Sequence, residues 1–136
     1  MDTCPAGFFA HGKSCYYAAN KSSASTWSKS RIFCQNLGAD LAVIKSEEEN
    51  KFVYDLLIKT SGKNNGWIGL HRKADKKFYW LDSRPVEGNL TKWGKGKPKE
   101  NRKEECVHIM KSTSGGKWNY RNCSDPTPVA ICQWPI

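Results

Sequence analysis

Trp67-Ile68-Gly69-Leu70 is a run of four residues without a polar side chain, set between the turn residues Asn64-Asn65-Gly66 and a charged segment that begins at His71. A short apolar run behind a turn signal reads as a central strand buried within its sheet. Gly69, flanked by large apolar residues, marks a point where a helix or another strand can approach closely. Downstream, Phe78-Tyr79-Trp80 is a second strand, Cys106 to Met110 alternates as a third, Lys117 to Tyr120 makes a fourth, and Val129 to Cys132 closes the sheet. Leu41 to Ile44 is a short strand upstream.

Two helices are predicted ahead of the central strand. Ser25 or Thr26 caps the first, and Trp27, Ile32, Phe33 or Cys34, and Leu37 follow at three- and four-residue spacing until Gly38 stops it. Ser46 caps the second, with Glu47, Glu48 and Glu49 in the first turn, where the helix dipole favours anions, and Phe52, Val53, Leu56 and Leu57 behind. Nearer the start, Cys4 to Cys15 encloses Phe8, Phe9 and a His11-Gly12-Lys13 turn, an aromatic-rich hairpin continued by Tyr16 and Tyr17. Between Leu81 and Glu105 lie some twenty-five residues rich in Gly, Pro, Lys and Asn with no usable period.

At 136 residues the chain is read as a single domain, 1–136. Six Trp, five Tyr and five Phe supply the apolar area for its core. Its six cysteines include no Cys-x-x-Cys pair, so three disulfides formed on an oxidising, secretory route are expected; sequence alone leaves fifteen pairings open. No stretch approaches the roughly 20 apolar residues of a membrane span. The start Met1-Asp2-Thr3-Cys4 has neither a basic nor an apolar leader region, and Met1 is read as an initiator placed before a mature domain. The net charge of +9 is concentrated: Lys92 to Lys103 carries +5 and His71 to Lys77 carries +3. The plain reading of such runs is a solvated surface.

The Trp-Ile-Gly-Leu strand, the Ser46-Glu47-Glu48 helix start, the cysteine positions, and Trp118-Asn119 five residues before Cys123 together resemble the C-type lectin-like domain over residues 4–134. They match its long form, with the extra N-terminal hairpin. The resemblance implies an α+β fold, with two helices packed on small antiparallel sheets and a long loop where ligands bind. It selects one cysteine pairing: Cys4 with Cys15, Cys34 with Cys132, and Cys106 with Cys123.

In the resembling calcium-dependent lectins, ligand oxygens come from a Glu-Pro-Asn type triplet, from a Glu before the third-last cysteine, and from Asn-Asp on the next strand. Carried over residue by residue, the positions are Lys97, Lys99, Glu104, Asn119 and Tyr120, with Glu105 as the alternative to Glu104 because the loop is about a residue short. Calcium takes six to eight hard oxygens. Two ammonium groups and a phenol leave only Glu104 or Glu105 and Asn119 as competent side chains, and the cations after Leu70 would repel a second ion. No cofactor is expected; calcium or zinc held by Glu104, Glu105 and Asn119 is the alternative. Lys97 or Lys99 could instead set an ammonium near Glu104 and Asn119 as a tethered cation. The candidate ligand-binding set is Lys97, Lys99, Arg102, Glu104, Asn119 and Tyr120, with Trp80, Trp93 and Trp118 assigned to the core beneath the loop.

His11, His71 and His108 lack partners at metal spacing, and no nucleophile–base or paired-carboxylate arrangement stands out, so no enzyme is expected. Asn20, Asn89 and Asn122 head glycosylation sequons. The resemblance implies a secreted or cell-surface pattern-recognition lectin that binds glycans or microbial surface polymers. Anionic ones are expected, bound through the basic loop without the calcium bridge, with no role for nucleic acid. The competing readings are a protein-binding ectodomain of the natural killer receptor type, a secreted lectin-like protein retaining a divalent-metal site, and a sulfated-polysaccharide-binding or antifreeze-like protein.

Overall fold

A computed structural model describes residues 3–98, 105–111 and 115–135. In chain order the elements are β1 (Phe9–His11), β2 (Ser14–Ala18), a 3-10 turn (Lys21–Ser23), α1 (Trp27–Asn36), β3 (Asp40–Leu41), α2 (Glu47–Ser61), β4 (Gly66–Arg72), β5 (Phe78–Trp80), β6 (Cys106–Ile109), β7 (Trp118–Arg121) and β8 (Val129–Trp134). The described strands are ordered β1-β2-β8-β4-β6-β7, with β3 on β8 and β5 on β4. β8 is antiparallel to β2 and β3 but parallel to β4. The architecture is the expected α+β one, and the disulfides join Cys4 to Cys15, Cys34 to Cys132 and Cys106 to Cys123.

The Trp-Ile-Gly-Leu run is the interior of β4, where Trp67, Ile68 and Leu70 are fully buried. The two indoles nearest it are satisfied: Trp67 Nε1 donates to Ser25 O at 2.8 Å, and Trp27 Nε1 donates to Ile68 O at 2.9 Å. Between Trp67 and His71 the β4–β6 register slips. Gly69 lies in that interval and turns its backbone elsewhere, donating to Ala42 O at 2.7 Å and accepting from Leu81 N at 2.9 Å. A Cβ on Gly69 would stand 3.0 Å from the carbonyl oxygens of Leu41 and Ala42. The glycine therefore marks a real close approach, by the segment that follows β3.

That segment also explains a shortened strand. Leu41 to Ile44 was expected to pair throughout, but only Asp40 and Leu41 join the ladder. Ala42 N–H goes to Ile131 O at 2.9 Å while its carbonyl serves Gly69, and Val43 N–H goes to the side-chain oxygen of Gln133 at 2.9 Å. The chain thus bridges β8 and β4 as a buried extended link.

Helix ends follow their caps. Thr26 Oγ1 accepts from Lys29 N–H and Ser46 Oγ accepts from Glu49 N–H, at 3.3 and 3.1 Å. Glu49 turns its carboxylate back to Lys45 N–H at 2.9 Å and also accepts the Tyr16 hydroxyl proton. Burial, then the hydrogen bond to Glu49, push the Tyr16 phenol well above its ordinary range. One expectation is corrected on α1: it buries Trp27, Ser30 and Cys34, leaving Ile32 53% and Leu37 41% exposed. The inward face runs through 27, 30 and 34, and Ile32 lies off that stripe.

His108, on β6, is 1% exposed and has its ring edge-on to Trp67 at 6.0 Å. Arg121 Nε donates to His108 Nε2 at 3.1 Å, and Arg121 is in turn held by Asp125 at 2.7 Å. Since arginine only donates, this nitrogen must be unprotonated. Burial, then the Arg121 charge, push the His108 pKa from 6.5 to about 4.

Two expectations follow. Gly69→Ala should lower stability by about 1–3 kcal/mol, because neither carbonyl can move without disturbing β3 or β4; the urea midpoint measures it, and an unchanged midpoint would refute the close-approach account. For His108 the folded-state pKa is depressed, so the unfolded chain takes up the proton first as pH falls. Its contribution is complete above pH 6.5 and declines between 6.5 and about 4. Stability should fall over this window by on the order of 3 kcal/mol from this residue. Subtracting the pH profile of His108→Gln from that of the native chain isolates the effect; identical slopes would exclude it.

Candidate functional site

The described part of the long loop contains no regular strand, yet it is pinned at both ends. Near β5, Val86 N–H donates to Phe78 O at 3.0 Å and Trp80 N–H to Arg84 O at 2.9 Å. Near β7, Gly94 N–H donates to Trp118 O at 2.8 Å and Trp118 N–H to Lys92 O at 2.7 Å. Trp118 is fully buried, packed edge-on against both Trp80 and Trp93. Its indole N–H donates to Asn50 Oδ1 at 2.8 Å, while the Asn50 amide donates to Gly115 O and Gly116 O, both at 3.0 Å. One buried asparagine therefore ties α2 to the approach of β7, with both its donors and its acceptor used.

Successive side chains of a strand face opposite ways, and on β7 this separates Asn119 from Tyr120. Tyr120 points beneath the loop and is 7% exposed. Its ring lies 5.7 Å from Phe78 and 6.2 Å from Trp93, with Lys97 Nζ 5.0 Å from its centroid and Arg72 Cζ at 5.2 Å. Arg72 Cζ is also 4.6 Å from the Phe78 ring. Two cations thus share one aromatic patch, each contact contributing about 0.5–2 kcal/mol according to its desolvation. Tyr120, singled out in the sequence as a ligand contact, is a support for Lys97 with little surface of its own.

Lys97 and Tyr120 are the two members of the expected set that the structure brings together. Asn119 Oδ1 accepts Tyr120 N–H at 2.8 Å. Glu105 is buried, and its carbonyl accepts Arg72 N–H at 2.9 Å. Lys99, Arg102 and Glu104 lie outside the described residues. Among the described residues no group of three or more His, Cys, Asp or Glu is placed to hold a metal.

A cleft of about 460 Å³ opens between the β4–β5 turn and the long loop. Arg72, Phe78, Val86 and Trp93 form its inner wall, and its rim includes Lys76, Lys77, Glu87, Thr91 and Pro98. Asp75, also on the rim, is engaged: the Tyr79 hydroxyl donates to it at 2.5 Å and Lys77 N–H at 2.9 Å, which holds its carboxyl below the usual range. An aromatic and aliphatic wall bordered by cations suits a ligand with an apolar face and an anionic group. Sequence reasoning missed this cleft. The His71–Lys77 charge cluster is its available signal, but on sequence it reads as a solvated surface and an obstacle to calcium; Trp93, assigned to the core, is half-buried at the cleft wall.

A family model described as the lectin C-type domain matches residues 23–134. C-type lectin domain family 4 member A of Mus musculus is 31% identical over 130 residues, 96% of this chain. Lithostathine-2 of Mus musculus is 35% identical over 127 residues, covering 88% of this chain and 69% of that protein. The chain spans about half, 53%, of the length of the family 4 member A relative. Among solved structures, the cow carbohydrate-recognition domain of CD23, in the presence of a GlcNAc2Man3 oligosaccharide, superposes with a TM-score of 0.81. It is 30% identical, with 98% of this chain and 96% of that one covered.

Tyr120→Leu should remove the seat of Lys97 and one of the two rings under Arg72, which keeps Phe78, whereas Tyr120→Phe keeps the ring. The Leu variant is expected to be less stable than the Phe variant by about 1–2 kcal/mol and to exchange the Gly94 and Lys97 amides faster. Equal stability and equal exchange in the two variants would show that the ring does not hold the loop.

Proposed function

The chain belongs to the C-type lectin domain family, and from that premise we propose that it is a non-enzymatic recognition module for anionic glycans or microbial surface polymers, held by the long loop without a calcium bridge. The observation that carries this reading is the stack of Arg72 and Lys97 on Tyr120. Carried over from the resembling lectins, Lys97 and Tyr120 stand at positions that supply calcium with oxygen. In this chain they form a fixed cation on an aromatic base. A fixed cation attracts the carboxylate or sulfate of a sugar where a divalent ion would attract hydroxyls.

Charge distribution supports the same class of ligand. Lys76 and Lys77 on one rim of the cleft, and Lys92, Lys95 and Lys97 on the loop, belong to the two segments that carry +8 of the net +9. Each exposed ion pair contributes little, about 0–1 kcal/mol, so useful affinity requires several at once together with contact against Trp93 or Phe78. A saccharide as the ligand class is carried over from the cow CD23 domain. Three disulfides suit an extracellular site of action, secreted or on a cell surface. Among the described residues no helix is long and apolar enough to cross a membrane.

A glycan array read in calcium, in zinc and in chelator tests the proposal, followed by two triple variants. Binding to carboxylated or sulfated glycans should persist in chelator and weaken steeply with salt, because exposed charges are screened over about 10 Å at 0.1 M. Replacing Lys97, Lys99 and Arg102 together by Ser should reduce affinity at least tenfold, with a stability loss of about 0.5–2 kcal/mol from the Lys97–Tyr120 contact and about 0.5 kcal/mol or less from each of the other two. The same change at Lys21, Lys29 and Lys59 should reduce it far less. Equal losses from the two variants would reduce the charge to a diffuse field. Chelator-sensitive binding would favour a retained metal site, and silence on every glycan a protein partner.

A further inference from the structure

Three asparagines head sequons, and one of them stands at the cleft. Asn89 is exposed on the long loop, in a turn where its backbone N–H donates to Val86 O at 3.2 Å and its side-chain Nδ2 donates to Pro85 O at 2.9 Å. Val86 is part of the cleft wall, while Glu87 and the sequon's own Thr91 are on the rim. Two residues of chain span at most roughly 7 Å, so anything attached at Asn89 starts at the mouth. We propose that Asn89 carries an N-linked glycan that overhangs this cleft and shields it from ligand. The shielding rests on the reading of the cleft as part of the glycan site; the attachment does not.

The chemistry fits the local geometry. Nδ2 of Asn89 bonds to the anomeric carbon of a polyprenyl-diphosphate-linked oligosaccharide. The bond from that carbon to the diphosphate oxygen breaks, polyprenyl diphosphate leaves with the electron pair, and one Nδ2 proton passes to a base of the transferring enzyme. No redox partner is needed, and the disulfides already imply the secretory route where the donor is found. An amide nitrogen has two hydrogens. After glycosylation the remaining one can still reach Pro85 O, so the turn that lines the cleft also fixes the direction in which the first sugar leaves.

The other two sequons serve as comparisons. Asn20 is exposed and caps the 3-10 turn, accepting from Ser22 N–H at 3.0 Å, and no residue of its sequon lines the cleft. Asn122 holds Ser124 N–H at 2.8 Å and is followed by Cys123, which is bonded to Cys106.

The test uses the whole chain secreted from mammalian cells, as native sequence, Asn89→Gln and Asn20→Gln. Peptide mass spectrometry reports occupancy, and immobilised dextran sulfate is the binding probe. An endoglycosidase that leaves one GlcNAc trims the glycan without adding charge. Asn89 is expected to be occupied. Trimming should raise affinity several-fold for the native chain and for Asn20→Gln, and leave Asn89→Gln, already at the higher affinity, unchanged. An unmodified Asn89 overturns the attachment. An occupied Asn89 with trimming-insensitive binding overturns the shield alone. If no form binds dextran sulfate, the shield falls together with the reading of the cleft, while the mass readout still decides the attachment.

Discussion

Everything in this fold meets at one strand. β4 is hydrogen-bonded to β6 along one edge and to β8 and then β5 along the other, and between those two Gly69 admits the Leu41–Ala42 backbone. A strand buried in this way cannot shift without uncovering polar backbone, at a cost comparable to a lost hydrogen bond for each group left unpaired. The N-terminal hairpin, β8 and β5 therefore build against one edge of a fixed reference, and β6 and β7 against the other, with the described part of the long loop pinned to β5 and β7. Rigid placement of an irregular loop follows: it hangs from β5 and β7, which are registered to β4 directly or through β6.

The frame was more legible in the sequence than the site. The apolar runs of β4 to β8 and the helix caps at Ser25 or Thr26 and at Ser46 are local signals that led to the right elements, and the resemblance supplied the cysteine pairing. Ile32 and Leu37 misled because helical spacing alone does not say which of two overlapping stripes turns inward; the buried Ser30 decided it, and serine carries no apolar signal. Val43 and Ile44 misled because their β-branched character marks burial and extension, whereas ladder pairing depended on Gln133, ninety residues later, taking the Val43 N–H. Tyr120 occupies the position that the resemblance marked for ligand, yet the alternation of β7 and the arrival of Trp93 cover it. Cleft walls assembled from β4, β5 and the loop have no single-segment signature, so only their charge was visible.

Shape and attraction are carried by different groups in the loop region. Trp118, Asn50, Trp80 and Trp93 hold the geometry through buried hydrogen bonds and edge-on ring contacts, which ionic strength barely affects. Lys76, Lys77 and Lys95 supply field and little structure, whereas Lys92 is paired with Glu47 on α2 at 3.1 Å and holds Trp118 N–H on its carbonyl. Lys97 belongs to both groups, because its ammonium sits over the Tyr120 ring and also adds to the positive charge of the loop. Ligand preference can therefore drift by exchange of rim residues without loss of the fold, whereas a change at Trp118 or Asn50 would remove both together.

The position of β8 has a consequence for how the chain is made. It is the latest strand in sequence, yet it lies inside the sheet, between β2 and β4 and against β3. It also supplies Cys132, the partner of Cys34 at a sequence separation of 98. Until residues 129–134 leave the ribosome, β2 and β4 have no common neighbour and Cys34 has no correct thiol to meet. Vectorial folding from the N-terminal end is thus blocked by topology, and the nascent chain must wait with its hairpin, helices and β4 unassembled. The oxidising compartment must then both hold that open chain in solution and keep Cys34 from pairing early with Cys4, Cys15, Cys106 or Cys123.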